Sequence, residues 1–495
     1  MTLLRKTYHQ FLLINITIKN IVCKNVRRYS TNIYFYLWDS PTHIKNFNHC
    51  KYSFIYGILM IAKSTYNRAG GINMKTSKTK TTLIMGFALF ATFFGAGNLI
   101  FPPFLGRETG ASWFIGFMGF FIMDVGLGVL AIWATVFNRI GNIEGVVGKI
   151  GMIPGKIMAA IIIICIGPGL CIPRTAATTF EMGISTLMPG FSPWIFGALF
   201  FGAALLLTIR PTKVVDIVGN YLTPALIIVM VILIVLGVIS PIGPATAEST
   251  VVPLKEGMLS GYQTMDGIGA LLLTGIVTTA AHSKGFTDKK EVSGMVGMSG
   301  VIAGVLLMLI YGGLTYLGAT TSTGGFEDLN QAGLLMAIVQ SLMGKSGMIL
   351  LTLIVLLACL TTAIGLTSVA ADYFNTISKG KLQYSHLVIA ICVFSYVISN
   401  FGLTRIINIS APILSLLYPP TLVLVLLTFL DDVLKNDNVA CFGAYFALAE
   451  SAAELVLGAD ALKALPFSQY GCAWILPALI GCIIGFFFKK KNAQV

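Results

Sequence analysis

The sequence predicts an all-α polytopic membrane protein of about twelve spans, built as a 5+5 inverted repeat in which helices 1 and 6 are broken. Three observations carry that expectation. First, 56% of the 495 residues are hydrophobic and 11% are charged, with a mean hydropathy of +0.84, whereas soluble domains are roughly 25% charged. Second, the apolar run from Thr82 to Gly106 is interrupted by Gly95-Ala96-Gly97-Asn98 and closed by Phe101-Pro102-Pro103. Third, a comparable interruption, Met265-Asp266-Gly267-Ile268-Gly269-Ala270, falls five spans later.

The first 73 residues differ from the rest. They hold ten Lys/Arg, the single acid Asp39 and eight Asn, with no clean apolar span; segment 53-62 is too short to cross a bilayer. A basic, acid-poor leader is one reading. The other is a start assigned too early, because Met74-Lys75-Thr76-Ser77-Lys78 reads as an ordinary beginning for a membrane carrier. Residues 1-73 are therefore read as an extension outside a transporter domain at 74-491.

From Leu83 onward, hydropathy places spans near 83-105, 112-137, 157-187, 193-209, 215-240, 261-281, 296-319, 346-375, 385-401, 405-430, 438-457 and 469-488. These divide into a first repeat at 83-240, a second at 261-430 and two extra helices at 438-488. With the start inside, seventeen Lys/Arg fall in inner loops, among them Lys78, Arg139, Lys149, Arg210, Lys379 and Lys489 to Lys491, and five in outer loops: Arg107, Lys255, Lys345, Arg405 and Lys463. That positive-inside bias predicts cytoplasmic termini in a plasma membrane. The outer loop from Thr320 to Lys345 is expected to carry a short helix. The net charge of +13 is scattered over these loops, so topology accounts for it and nucleic acid is not a predicted partner. Seven cysteines in or beside apolar runs read as packing residues.

Each glycine costs about 1 kcal/mol of helix, and an unwound turn leaves carbonyls that lipid cannot satisfy. Paired broken helices are the best sequence pointer to a carrier's binding site near the bilayer midplane. The competing reading is that these small residues let helices pack closely. Asn98 and Asp266 inside the two interruptions favour a site. In span 8, Thr361 and Thr362 with the Ala358 carbonyl, plus carbonyls freed in span 1, would supply about five oxygens to Na+, as a hard cation requires. The alternative for those hydroxyls is back-bonding within their own helix.

An amino-acid zwitterion matches this arrangement. Its carboxylate suits N–H groups at the half-helix start near Gly97 and Asn98. Its ammonium suits carbonyls near Gly267 to Gly269, or Asp266 itself, and a branched side chain suits Phe93, Ile268 and Leu271. Among other ionisable groups at membrane depth, Asp124 reads as a site residue or an interhelical hydrogen-bonding group. Arg174 and Glu181, seven apart and so on one face, read as a structural or gating pair. With His282 and His386 the only histidines after the leader, no enzyme centre is expected. No short channel filter is present either.

Thr82 to Gly106, Gly167 to Gly183 (with Pro173-Arg174-Thr175-Ala176 and Phe180-Glu181), Gly261 to Gly269 and Ser410 to Pro420 resemble the bacterial branched-chain amino acid carriers, the BrnQ-type cation symporters. The resemblance covers essentially Met74 to Lys491. It implies sodium-coupled uptake of leucine, isoleucine and valine, with proton coupling as the rival, no organic cofactor and no obligate protein partner.

More distantly, Gly95-Ala96-Gly97-Asn98 with Phe101-Pro102, and Ala358 to Thr362, resemble the sodium-coupled leucine and neurotransmitter symporters. Carried over, that resemblance implies a Na+ site from backbone oxygens of Ala91, Phe94 and Ala358 and hydroxyls of Thr361 and Thr362. The implied substrate site comprises Phe93, Gly95, Gly97, Asn98, Asp266, Gly267, Ile268 and Gly269. Asn98 matches a position serving a second sodium, but Gln263 stands where that site expects threonine.

Overall fold

Uninterrupted apolar sequence has one stable form in hydrocarbon, the helix, because every backbone N–H and C=O must be paired within the chain. The computed structural model describes residues 77-138, 140-209 and 213-488, and these are mostly helical, with no strand among them. The expectations for residues 1-73 and for Lys75, Arg139, Arg210 and Lys489 to Lys491 lie outside the described residues.

In chain order the long elements are α1 (Lys78–Phe93), α2 (Ala96–Thr109), α3 (Trp113–Phe121), α4 (Leu127–Phe137), α5 (Met152–Ile164), α6 (Cys171–Thr179), α7 (Pro193–Ile209), α8 (Lys213–Ile239), α9 (Pro253–Thr264), α10 (Asp266–Ser283), α11 (Lys289–Ala319), α12 (Gln331–Ile377), α13 (Tyr384–Ser399), α14 (Leu403–Thr428), α15 (Asp437–Leu457) and α16 (Ile475–Phe487). Seven helical stretches, from Ala96–Phe137 to Asp437–Leu457, are long and apolar enough to cross a membrane; four shorter apolar helices accompany them. Large apolar side chains such as Leu199, Leu206, Leu309 and Ile483 point outward and are more than half exposed, as lipid-facing positions require. The short helix expected in the outer loop is the first stretch of α12, started by the Asn330 side chain accepting from Gly333 N–H and ended by Gly344 at φ +64°.

Both interruptions are present, but each is narrower than the sequence suggested: the first takes in Gly95 and not Gly97, and the second lies just before its glycine pair. Between α1 and α2 only Phe94 and Gly95 leave helical geometry, so Gly97 and Asn98 begin α2. Between α9 and α10 a single residue breaks the chain, Met265, at φ +68° and ψ 5°. That left-handed conformation is uncommon for a residue with a side chain. The Pro102-Pro103 pair does not close the span either. Both prolines sit inside α2, which runs on to Thr109. Protein packed around α2 makes the interior prolines tolerable, since Phe101, Pro102 and Pro103 are all buried.

The glycines that bring helices into backbone contact are others. A Cβ at Gly106 would lie 1.9 Å from the Thr315 carbonyl oxygen, and one at Gly318 would lie 1.8 Å from that of Pro103. Thus α2 and α11 cross at a distance only glycine permits. At Gly269, by contrast, an added Cβ meets nothing within 4 Å, so close packing does not account for it.

Three helices contain a π turn: Ile122–Gly126 between α3 and α4, Cys165–Gly169 between α5 and α6, and Phe180–Ile184 after α6. Such turns cluster at functional sites, and the first carries Asp124.

Candidate functional site

The site forms where the two breaks meet. Asn98, in the first turn of α2, uses its side-chain carbonyl to accept the Gly95 N–H at 3.3 Å. Its amide donates across the gap to the Asp266 carboxylate, the first residue of α10, and to the Tyr311 hydroxyl on α11. Asn98 is thus the tie between the breaks, and its buried amide is fully used, as buried polar groups must be. Tyr311 is fixed by stacking on Phe94 and an edge contact with Phe120.

Asp124 lies beside this cluster and makes an interhelical hydrogen bond, as the alternative reading of it expected. It is fully buried, its Oδ1 accepts from the Thr264 hydroxyl at 2.8 Å, and its Oδ2 has no partner. Asp124 and Asp266 share the wall of a cavity of about 10 Å³ with Phe93, Gly128, Gly304 and Leu307. That is room for about one water. Phe93 therefore lies beside Asp266; Ile268 and Leu271 are buried but do not line this cavity.

Arg174 was not singled out as a site residue, yet it stands between the two breaks. It is 1% exposed, and Nη1 and Nη2 donate to the carbonyls of Gln263 at 2.5 Å and Thr264 at 3.4 Å. These are the last carbonyls of α9, the negative end of that helix. The same guanidinium lies against Gly97, where a Cβ would sit 2.8 Å from Nη2, and 5.5 Å from the Phe101 ring centroid. The carbonyls near Gly267 to Gly269 expected for an ammonium are inside α10; the free ones belong to the end of α9 and hold Arg174.

Arg174 and Glu181 do not form one network. The π turn after α6 separates them, and Glu181 instead accepts from Leu403 N–H at 2.8 Å and Asn330 Nδ2 at 3.0 Å. Glu181 thereby links the end of the α6 segment to the starts of α12 and α14. Arg107, on α2, fastens the same loop by donating to the carbonyls of Phe326 and Leu329, both at 2.8 Å.

Of the residues expected to hold Na+, Thr362 comes beside the first break. Thr362 Cγ2 lies 3.8 Å from where a Cβ would stand on Gly95, which brings α12 to the first break. There Gly95 N–H bonds to Phe93 O at 2.7 Å and to Asn98, leaving the Ala91 carbonyl without its usual partner four residues on. Thr361 Oγ1 bonds back to the Ala358 carbonyl at 2.9 Å, as the alternative reading expected of it. Thr362 Oγ1 is buried with no partner. Gln263 uses its side-chain oxygen to accept from Ser410 at 2.9 Å.

The family described as branched-chain amino acid transport protein matches residues 78–492. The chain is 36% identical over 425 residues to the branched-chain amino acid permease BraB of Bacillus subtilis, covering 82% of this chain and 95% of that protein. It is 34% identical over 449 residues to the branched-chain amino acid transport system 3 carrier protein of Pseudomonas aeruginosa (85% and 100%). To the permease BrnQ of Escherichia coli it is 33% identical over 431 residues (84% and 97%). Among solved structures, a nucleobase-cation-symport-1 family transporter in a closed conformation with bromovinylhydantoin bound superposes with a TM-score of 0.55 at 14% identity, over 83% of this chain and 94% of that one. A Na+-coupled sialic acid symporter superposes at 0.54 and 14%, over 83% and 91%. At such identity these two establish the fold alone.

Proposed function

The chain belongs to the branched-chain amino acid transport protein family, and from that premise we propose that it imports leucine, isoleucine and valine across a bacterial cell membrane by symport with Na+. Its relatives are transporters and permeases, so it is not an enzyme. The single observation that carries the site is the tie from Asn98 at one break to Asp266 at the other. Two discontinuous helices meeting over polar groups are what a carrier uses to hold a zwitterion inside the bilayer.

In this reading the substrate ammonium goes to Asp266 and the carboxylate faces the first N–H groups of α2, at Gly97 and Asn98. Gly95, Gly267, Ile268 and Gly269 complete the walls, and Phe93 offers an apolar face. One-methylene differences are worth only about 1–3 kcal/mol, so leucine, isoleucine and valine compete. Sodium is held by the Thr361 and Thr362 hydroxyls and backbone oxygens of Ala91, Phe94 and Ala358. The partnerless Thr362 hydroxyl supports that assignment. Because the cavity at Asp266 holds about one water, a leucine side chain requires the walls to part. We propose that helices 1 and 6 rock against the rest of a twelve-span, 5+5 inverted-repeat scaffold with cytoplasmic termini, and that residues 1-73 precede it as an extension.

Proton coupling is kept as a second reading for one reason. Asp124 and Asp266 line one cavity wall, and uncompensated carboxylates at membrane depth call for a cation. A proton there serves as well as Na+. Labelled leucine uptake into proteoliposomes of the full chain, with inward sodium and proton gradients imposed separately, decides between them. Equal leucine affinity with and without sodium sinks the Na+ assignment, because coupling is reciprocal. Failure of labelled leucine to exchange for unlabelled leucine sinks the carrier.

A further inference from the structure

Resting on the carrier reading above, we propose that Arg174 is the substrate-binding residue that receives the carboxylate of the amino acid. Four observations lead there. The guanidinium is buried at 1% exposure, and Arg174 forms no ion pair within 4.0 Å among the described residues. A buried, always-ionised arginine at membrane depth needs an anion. Its two carbonyl partners, Gln263 and Thr264, contribute dipoles but no charge. Its Nε is buried without a partner, an unmet donor that a carboxylate oxygen satisfies. Finally, the guanidinium abuts Gly97 in the first turn of α2, so a carboxylate drawn to the positive end of that helix arrives beside Arg174.

This deepens the substrate orientation. The last carbonyls of α9, which in a broken helix are the natural receptors for an ammonium, are occupied by Arg174. The ammonium is thereby directed to Asp266, whose carboxylate Asn98 holds. Arg174 and Asp266 then read the two ends of one zwitterion, and a ligand lacking either charge leaves a buried group unpaired. Glycine at position 97 is the feature that lets the guanidinium approach the helix start.

The test compares leucine with leucine amide, which keeps the ammonium and side chain but lacks the anionic carboxylate. Dissociation constants come from ligand-induced thermal stabilisation of the purified full chain, which requires no transport. For the native protein leucine is expected to bind at least ~100-fold tighter than the amide, a charge-assisted bidentate contact being among the strong ones. Arg174→Gln should weaken leucine ~30-fold or more and leave the amide within ~3-fold, collapsing the preference. Arg174→Lys should recover part of it. Gly97→Ala, which places a methyl 2.8 Å from Nη2 against the movable end of a long side chain, should erode the preference with Arg174 intact. That variant keeps the test alive if Arg174→Gln does not fold. Equal weakening of both ligands, or survival of the leucine preference in Arg174→Gln and Gly97→Ala, overturns the assignment and leaves Arg174 as a tie between α6 and α9. A native protein stabilised by neither ligand takes down the carrier reading first and this assignment with it.

Discussion

Exchanging Asn98 for aspartate reverses the polarity of the tie between the two helix breaks while changing almost no volume. Asn98 makes three hydrogen bonds, accepting from Gly95 N–H and donating to Asp266 and Tyr311. In Asn98→Asp the first survives, and the Tyr311 hydroxyl turns to donate. The bond to Asp266 cannot survive, because two carboxylate oxygens face each other there. Losing one hydrogen bond to a charged group costs about 1.5–3 kcal/mol, and the facing acids add to that, so a loss of about 3 kcal/mol is expected. Asp266→Asn alone costs less, about 1 kcal/mol, since its carbonyl oxygen still accepts from Asn98 but without the charge. The double variant Asn98→Asp with Asp266→Asn restores one donor opposite one acceptor. Thermal unfolding of the four detergent-purified proteins gives the cycle: both single variants should fall, and the double variant should recover about half of the summed loss of about 4 kcal/mol, a coupling of about 2 kcal/mol. Additive losses would refute the reasoning, because they would mean that the two side chains do not depend on each other. Transport is not the readout, because the proposed site sets Asp266 against the substrate.

Gly318→Ala drives a methyl to 1.8 Å from the Pro103 carbonyl and should lower stability by about 1–3 kcal/mol or more through forced separation of α2 and α11. Gly269→Ala, in open space, should be neutral or gain up to about 1 kcal/mol of helix; the two melting curves side by side check both. Thr361→Ala with Thr362→Ala should raise the sodium concentration needed for half-maximal leucine uptake at least ~10-fold without changing which amino acids compete, and Thr362→Ala alone should supply most of that effect, because Thr361 is already bonded to Ala358. Arg107→Ala should speed amide hydrogen exchange across 320-330 by ~10–100-fold, the loss of two carbonyl contacts at about 1.4 kcal/mol per tenfold. In the inner loop, burial pushes the Lys149 ammonium below its ordinary range and Asp431 at 2.5 Å opposes that. A lysine lowered in the folded state weighs against folding while protonated, and this is relieved as pH rises from its folded value toward the ordinary ~10.4. Asp431→Asn should therefore destabilise most at neutral pH and least in alkali, as pH-dependent unfolding will record.

The helices were legible because hydrocarbon leaves them no alternative, and the two breaks were legible to within a few residues. Their cause was not. Glycine pairs drew attention to Gly95–Gly97 and Gly267–Gly269, whereas the chain leaves the helix at Phe94 and Met265, and tertiary packing rather than local propensity holds Met265 left-handed. Asn98 and Asp266 were readable as polar residues inside apolar runs, but which groups they meet depends on contacts 168 and 213 residues away in sequence. Arg174 was read by a seven-residue spacing that paired it with Glu181. The π turn beginning at Phe180 breaks that periodicity, so a helical wheel drawn through both residues pointed the arginine at the wrong neighbour. The one signal available was that no acid stood within a turn of Arg174 to balance it.

Two of the π turns have a consequence for how this chain tolerates insertions and deletions. A π turn holds one residue more than the α-helical turn it replaces, so the segments Ile122–Gly126 and Phe180–Ile184 each carry a removable unit of length, whereas Cys165–Gly169 is kinked at Gly167 and does not. Excising a single residue there leaves a continuous α-helix rather than a broken one, but turns everything beyond it by about 100° and draws it in by about 1.5 Å. A deletion within Ile122–Gly126 should yield a protein that inserts and folds while Asp124 faces away from Thr264. The same deletion in the middle of α11, which has no such slack, should rotate Tyr311 out of the core and abolish folding. Length variation among related chains is therefore expected to collect at these two points, where losing a residue re-aims a helix without interrupting it.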